Sequence, residues 1–375
     1  MKPALLVLAA CAGPDVAPPT PPPAVVATSL PEEEPDEPVA RPVEQPSEPI
    51  AVDAAVPPPT TPANDEVWLR GSTHVHAKPS GDSTEPLPNV IAWYRKHHYD
   101  FIVLTDHNKV TEPGPPTDGF IVIAGVELTH NPSGCLPPGD KSKKCRIHAN
   151  AIGVTERPAG KIDWPNRKTH ERLAKYQSAL DEARLLHAPL VQINHPQWFW
   201  GMTADLLAEL ARRGASLVEI ANIQFAKWNA GDKDHPSTEA LWDGALAQGV
   251  TLWGVASDDA HSYRGEKREQ WPAGGGWIMV HARRDAQAIV DAIAAGHFYA
   301  STGVELSHAE VQGDQLVVEV ADSAPTKIAF IENGAVVATI DGHSARRAVP
   351  AKGYLRAVVT RDDGKRAWVQ PARSK

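Results

Sequence analysis

Nine residues of this chain are of types and spacings that hold metal ions: His74, His76, Asp82, His107, Glu127, His148, His195, Asp259 and His261. His74-x-His76 follows Val67-Trp68-Leu69-Arg70-Gly71, which reads as a short strand. Alternate side chains of an extended segment share a face, so both imidazoles point the same way. That is a chelating arrangement for Zn²⁺, Mn²⁺ or Fe²⁺. The other seven fall where further runs end or begin. Asp82 lies eight residues after His74, His107 follows the run 101–104, and Glu127 follows 121–124. His148 opens the next run, His195 closes 190–193, and Asp259-x-His261 closes 251–256. So many imidazoles and carboxylates cannot be buried together unpaired, and bound cations are the natural way to neutralise them. A single such histidine is ordinarily a satisfied core or surface residue. The whole set at successive strand ends is not.

The elements that must position these groups alternate. Residues 87–98, 169–187, 203–213, 237–248 and 285–295 have helical spacing or caps, and the apolar runs between them have buried-strand length. The alternation predicts parallel strands in an α/β fold, and about seven units in some 235 residues suit a barrel better than a Rossmann sheet. Loops at the carboxyl ends of parallel strands converge on one face, which gathers the nine residues into one pocket. Gly274-Gly275-Gly276 lies in a late loop and is a weak signal alone. Beyond Gly303 the runs become short, β-branched and alternating, with turn signals at Asn333-Gly334 and Asp362-Asp363-Gly364. Residues 304–375 therefore read as a small antiparallel β-sandwich-like domain without ligands of its own.

Composition narrows the function. The chain has 375 residues, 37 Lys and Arg against 46 Asp and Glu, and sixteen His, all between His74 and His343. No basic stripe exists to neutralise a phosphate backbone, so nucleic acid is not expected as the main partner. Met1-Lys2, a short apolar run and Leu8-Ala9-Ala10-Cys11 make residues 1–11 a secretory signal, and the Leu-Ala-Ala-Cys ending resembles a bacterial lipobox with a lipid-bearing Cys11. Residues 12–65, Pro-rich and acidic, are expected as an extended disordered spacer. Export, a lipid anchor and a globular head held off a membrane surface follow as expectations.

A more specific resemblance lies in Gly71-Ser72-Thr73-His74-Val75-His76, Ser80-Gly81-Asp82-Ser83 and Tyr99 through Asn108. Gly125-Val126-Glu127, His148-Ala149-Asn150, Asn194-His195-Pro196 and Ser257-Asp258-Asp259-Ala260-His261 follow in order. Together these resemble the PHP (polymerase and histidinol phosphatase) domain over residues 66–303. Gly296 to Gly303 and the β tail resemble its carbaryl hydrolase-like branch. The resemblance implies a distorted (β/α)7 barrel and two to three divalent ions (Zn, Mn or Fe). His74, His76 and Asp259 would hold one ion, Glu127 would bridge to a second held by His148 and His195, and Asp82, His107 and His261 would hold a third. The family often has His where Asp82 stands, which favours a harder ion there. Asp106 and Asp258 are expected to orient neighbouring imidazoles. The implied chemistry is hydrolysis by metal-bridging hydroxide, foremost as a phosphoesterase on a small phosphorylated substrate. An amide, ester or carbamate hydrolase, or a catalytically silent surface-tethered binding module, are the competing readings.

Some residues stay open at this stage. Trp198, Phe199 and Trp200 suit either a substrate wall or core. Arg264, Lys267 and Arg268 suit a phosphate grip or a solvated loop, and His130 is a candidate proton donor. With Cys11 assigned to lipid, Cys135 and Cys145 remain as one possible disulfide, closing a Pro, Gly and Lys-rich loop beside the site.

Overall fold

The computed structural model describes residues 65–114, 117–264 and 272–374. The expected signal, Cys11 and nearly all of the spacer lie outside the described residues, as do Lys267 and Arg268. Among the described residues no helix is long and apolar enough to cross a membrane.

The fold is mixed α/β, with one large sheet and one small one. Nine strands build the part that holds the site: β1 (Val67–Val75), β2 (Phe101–Leu104), β3 (Ile121–His130), β4 (Ile147–Ile152), β5 (Leu190–Ile193), β6 (Leu217–Asn222), β7 (Trp253–Ser257), β8 (Trp277–Ala282) and β9 (Phe298–Ser301). They are hydrogen-bonded in the order β9-β8-β1-β2-β3-β4-β5-β6-β7. Between them run α1 (Leu87–Lys96), α2 (Arg172–Leu185), α3 (Ala204–Arg212), α4 (Ala226–Ala230), α5 (Thr238–Leu246) and α6 (Ala286–Ala295). Three helices start on side-chain caps where Thr203, Ser237 and Asp285 accept from backbone N–H groups, as their residue types favour. Strand β2 is buried along its whole length, as expected for a central parallel strand. It lies so close to β1 that a Cβ on Gly71 would sit 2.2 Å from the Phe101 ring.

The all-parallel expectation needs correction. Pairs β1–β2, β2–β3, β5–β6 and β6–β7 are parallel, but β4 is antiparallel to both neighbours and β8 antiparallel to β1 and β9. No helix lies between β3 and β4, and without a crossover the chain can only turn back. At the far end β7 is carried on to Ala260, which makes an isolated parallel bridge to Val75 at the end of β1.

The C-terminal strands divide between the two sheets. These are β10 (Leu306–Gln312), β11 (Gln315–Val320), β12 (Thr326–Glu332), β13 (Ala335–Asp341), β14 (Ser344–Ala348), β15 (Leu355–Arg361) and β16 (Arg366–Ala372). Strand β16 pairs with β9, so β12, β13, β15 and β16 continue the large sheet. Only β10, β11 and β14 form the second, small antiparallel sheet. The β12–β13 hairpin turns at Asn333-Gly334, both with positive φ.

Cys135 and Cys145 form a disulfide, with Cα atoms 5.6 Å apart, that closes the loop between β3 and β4. Removing it with Cys135→Ser and Cys145→Ser together should cost roughly 3 kcal/mol by chain entropy. Urea unfolding measures this. An unchanged midpoint would mean that the bond constrains nothing.

Candidate metal centre

All nine expected residues converge. Their ligand atoms form three groups, each with its atoms within 4.8 Å of one another: His74, His76 and Asp259; Glu127, His148 and His195; His76, Asp82, His107 and His261. Most of them line a cavity of about 370 Å³, with His74 and His76 fully buried.

Strand geometry explains the convergence. His74 and His76 sit two residues apart on and just beyond β1, ring centroids 5.1 Å apart. Both Nε2 atoms lie 3.2 Å from Asp259 Oδ1. Glu127 projects from the middle of β3. Its Oε1 lies 2.9 Å from His148 Nδ1, 3.5 Å from His74 Nε2 and 3.6 Å from His195 Nε2. Its Oε2 lies 2.6 Å from His107 Nδ1 and 3.7 Å from His76 Nε2. One carboxylate thus faces five imidazoles. His148 opens its strand rather than closing it, yet joins the same face because β4 runs backwards. His195 and Asp259 both have positive φ, the turns that swing them inward from β5 and β7. Asp82, in the loop after β1, lies 2.9 Å from His107 Nε2 and 3.3 Å from His261 Nε2.

Four of the six imidazoles also have an outer nitrogen held by the protein. His74 Nδ1 is 2.7 Å from Glu219 Oε1, His76 Nδ1 is 2.9 Å from Ser80 Oγ, and His148 Nε2 is 2.9 Å from Asn131 Oδ1. His261 Nδ1 meets the Asp259 carbonyl at 2.9 Å, while His107 Nδ1, already beside Glu127, also meets the Thr129 hydroxyl at 2.7 Å. Such contacts fix ring orientation and leave the opposite nitrogen facing inward. The inward Nε2 atoms of His74 and His76 are buried without a hydrogen bond. A buried polar atom left so is costly unless something outside the protein satisfies it. The donor set fits divalent cations.

Burial and neighbouring charges split the imidazoles into two sets. Burial drives His76 down to about 3, with His261 and His107 adding to it, and drives His148 down to about 4 against the pull of Glu127. Both are therefore neutral, the ligand form of imidazole. Burial opposes charge on Glu127 too, but His148, His107 and His74 outweigh it and hold the carboxyl well below its ordinary value. His107 goes the other way: Glu127 and Asp82 outweigh burial and raise it to about 10.

Two roles change. Asp106 accepts from Ala77 N and the Thr111 hydroxyl, and Asp258 from Ser72 Oγ, Tyr94 OH and Gly274 N. Neither meets an imidazole; they fix the backbone turns that carry His76 and Asp259. Burial pushes both carboxyls up to about 6. The orienting role belongs to Glu219 on β6, which sequence reading missed. It is fully buried and also takes hydrogen bonds from His195 N, Ser257 Oγ, Asn222 Nδ2 and Gln192 Nε2. The triple glycine serves this corner, since a Cβ on Gly276 would sit 2.6 Å from the Ser257 carbonyl oxygen. Trp198 lines the cavity, whereas Phe199 and Trp200 pack beside Trp228. Arg264 pairs with Glu85, and His130 packs against Trp164 away from the cavity lining.

Asn131→Ala should weaken metal binding about 10- to 100-fold at the Glu127, His148 and His195 group, because it frees the outer nitrogen of His148. Competition titration with a chromophoric chelator reads this, and unchanged affinity would mean that Asn131 orients nothing.

No protein-family model and no curated protein matches the chain. Among solved structures it is similar to a two-domain protein from Bacteroides vulgatus containing a predicted PHP-like metal-dependent phosphoesterase. That likeness has 17% identity and a TM-score of 0.43, over 82% of this chain and 96% of the other. It is also similar to a candidate metal-dependent phosphoesterase from Bifidobacterium adolescentis, at 13% identity and a TM-score of 0.31, over 53% of this chain and 90% of that one. At TM-scores this low neither likeness decides fold or chemistry; the side chains do.

Proposed function

We propose that the chain is a metal-dependent hydrolase of the PHP type, a phosphoesterase acting on a small phosphorylated substrate outside the cytoplasm. One observation carries this: six imidazoles converge on Glu127, Asp259 and Asp82, four of them with an outer nitrogen held by the protein. His74, His76 and Asp259 would hold one ion, Glu127, His148 and His195 a second, and Asp82, His107 and His261, with His76 beside them, a third. Bound divalent ions supply Lewis acidity toward a phosphoryl oxygen and acidify water.

The protein's own part is to orient these donors, to bury most of them and to hold His76 and His148 neutral. Glu219 and Asn131 hold two of the rings, while Ser80 and Thr129 engage His76 and His107. Those two hydroxyls are thereby occupied, and the described cavity lining offers no cysteine. Water activation rather than a covalent nucleophile suits such a site. The distorted (β/α)7 barrel is part of the proposal, supported by the Val75–Ala260 bridge from β7 back to β1.

The experiment is a screen of purified, Mn²⁺-loaded protein against phosphomonoesters, phosphodiesters, aryl esters and carbamates. Phosphate release is expected. Activity confined to carboxyl-type substrates would replace this reading with the ester or carbamate one, and inactivity on all of them would favour a binding module. The export proposal rests on residues 1–11, and a disulfide suits an oxidising compartment. Residues 64–375 produced alone should stay soluble with unchanged catalytic constants. Loss of hydrolysis in that folded fragment would overturn the spacer's role as a mere tether.

A further inference from the structure

Beside the His148 and His195 end of the cavity lies a set of aromatic and cationic groups that the metal centre does not use. Trp198 and Phe225 both line the cavity, with ring centroids 4.8 Å apart. Trp198 stands 5.2 Å from the His195 ring and 5.6 Å from that of His148. Two aromatic rings, tilted 59° to one another, thus border the place where the reacting bond must sit.

The cations come from the disulfide-closed loop and its neighbours. Arg146 follows Cys145 directly, and its guanidinium lies 4.9 Å from the Trp198 centroid and 5.0 Å from that of Phe199. Its Nη1 donates to the Cys145 carbonyl at 2.7 Å, while its Nε is buried with no hydrogen bond. Among the described residues it has no carboxylate partner, and burial alone lowers its pKa. Arg172, almost fully buried, also lacks a carboxylate partner among the described residues and lies with Nη1 3.3 Å from Cys145 Sγ. Lys161 lines the cavity without an ion pair among the described residues. From Asn131 to Arg146 the sequence holds Lys141, Lys143, Lys144 and Arg146 against the single acid Asp140. The lysines are exposed, but Arg146 is half-buried and Arg172 buried, and a cation withdrawn from water without a counter-charge among the described residues attracts an anion. Aromatic faces attract a flat ring.

The geometry points to a leaving-group subsite. The preferred substrate is a phosphate monoester of a planar aromatic alcohol carrying a second negative charge. Trp198 and Phe225 contact the ring, and Arg146 meets the second anion. This rests on the phosphoesterase reading and adds what stands on the far side of the scissile bond. Trp198 and Arg146 act on specificity; neither takes part in bond cleavage.

The test measures binding, so it does not depend on turnover. Calorimetry on the metal-loaded full chain compares ethylphosphonate, phenylphosphonate and 4-carboxyphenylphosphonate, which cannot be hydrolysed at an ester bond. Phenylphosphonate should bind about tenfold tighter than ethylphosphonate through stacking, and the carboxylated compound about tenfold tighter again through its charged contact. Trp198→Leu should collapse the first ratio. Arg146→Gln should collapse the second, and Arg146→Lys should retain part of it. Equal affinity for all three compounds in the wild type would overturn the subsite while leaving the phosphate reading standing. So would ratios that survive both substitutions. Failure to bind any of the three would overturn both.

Discussion

Replacing Glu127 with alanine is expected to remove more than one equivalent of bound metal and to lower phosphate release at least ~10³-fold. The reason is position. Glu127 is 1% exposed at the centre of β3 and lies within 4 Å of five imidazoles, so its two oxygens face all three ligand groups. Truncation also leaves the mutual repulsion of those rings without its central counter-charge. Elemental analysis of the purified variant against wild type, with two to three equivalents expected in the latter, reads the effect. Full occupancy in the variant would show that Glu127 bridges nothing.

Glu219→Ala should be the costliest change outside the ligand set. The carboxylate takes hydrogen bonds from His74, His195 N, Ser257, Asn222 and Gln192, all buried. Removing it strands those donors and breaks a buried ion pair, a loss of about 3–5 kcal/mol. His74 would also lose the contact that sets its ring, lowering metal affinity about 10- to 100-fold. Urea unfolding of the chelator-treated protein isolates the first effect, and metal titration the second. A variant with wild-type stability when metal-free would contradict the structural role, and wild-type affinity would contradict the orienting one.

Much of this site was legible because its residues stand at the ends of apolar runs, where a strand must give way to a loop. His74-x-His76 and Asp259-x-His261 needed no tertiary information beyond the alternation of side chains. Glu219 escaped because it interrupts a buried strand, Leu217 to Asn222, instead of ending one. A lone acid in such a run is a sequence signal in its own right, since burial there demands a partner. Asp106 and Asp258 were placed beside imidazoles by adjacency in sequence, whereas both stand in the turns just past β2 and β7, where their carboxylates take backbone and hydroxyl donors instead.

The fold was legible where hydrophobic period decided it. Buried strands such as Phe101–Leu104 and capped helices such as Ala204–Arg212 fall where expected. Strand direction was not, because an apolar run carries no polarity. The absence of a helical pattern between His130 and Ile147 was the available clue that β4 turns back. Strand β14, Ser-Ala-Arg-Arg-Ala, was overlooked because it is too polar to read as a strand and finds its place only by pairing with β11.

The most direct test of a metal-dependent phosphoesterase is phosphate release from a phosphomonoester by one preparation in two states, chelator-stripped and reloaded with Mn²⁺. Release should be absent from the stripped protein and return as two to three equivalents are added. Equal release in both states would contradict the metal requirement. Stoichiometric uptake without phosphate release would contradict the assigned reaction.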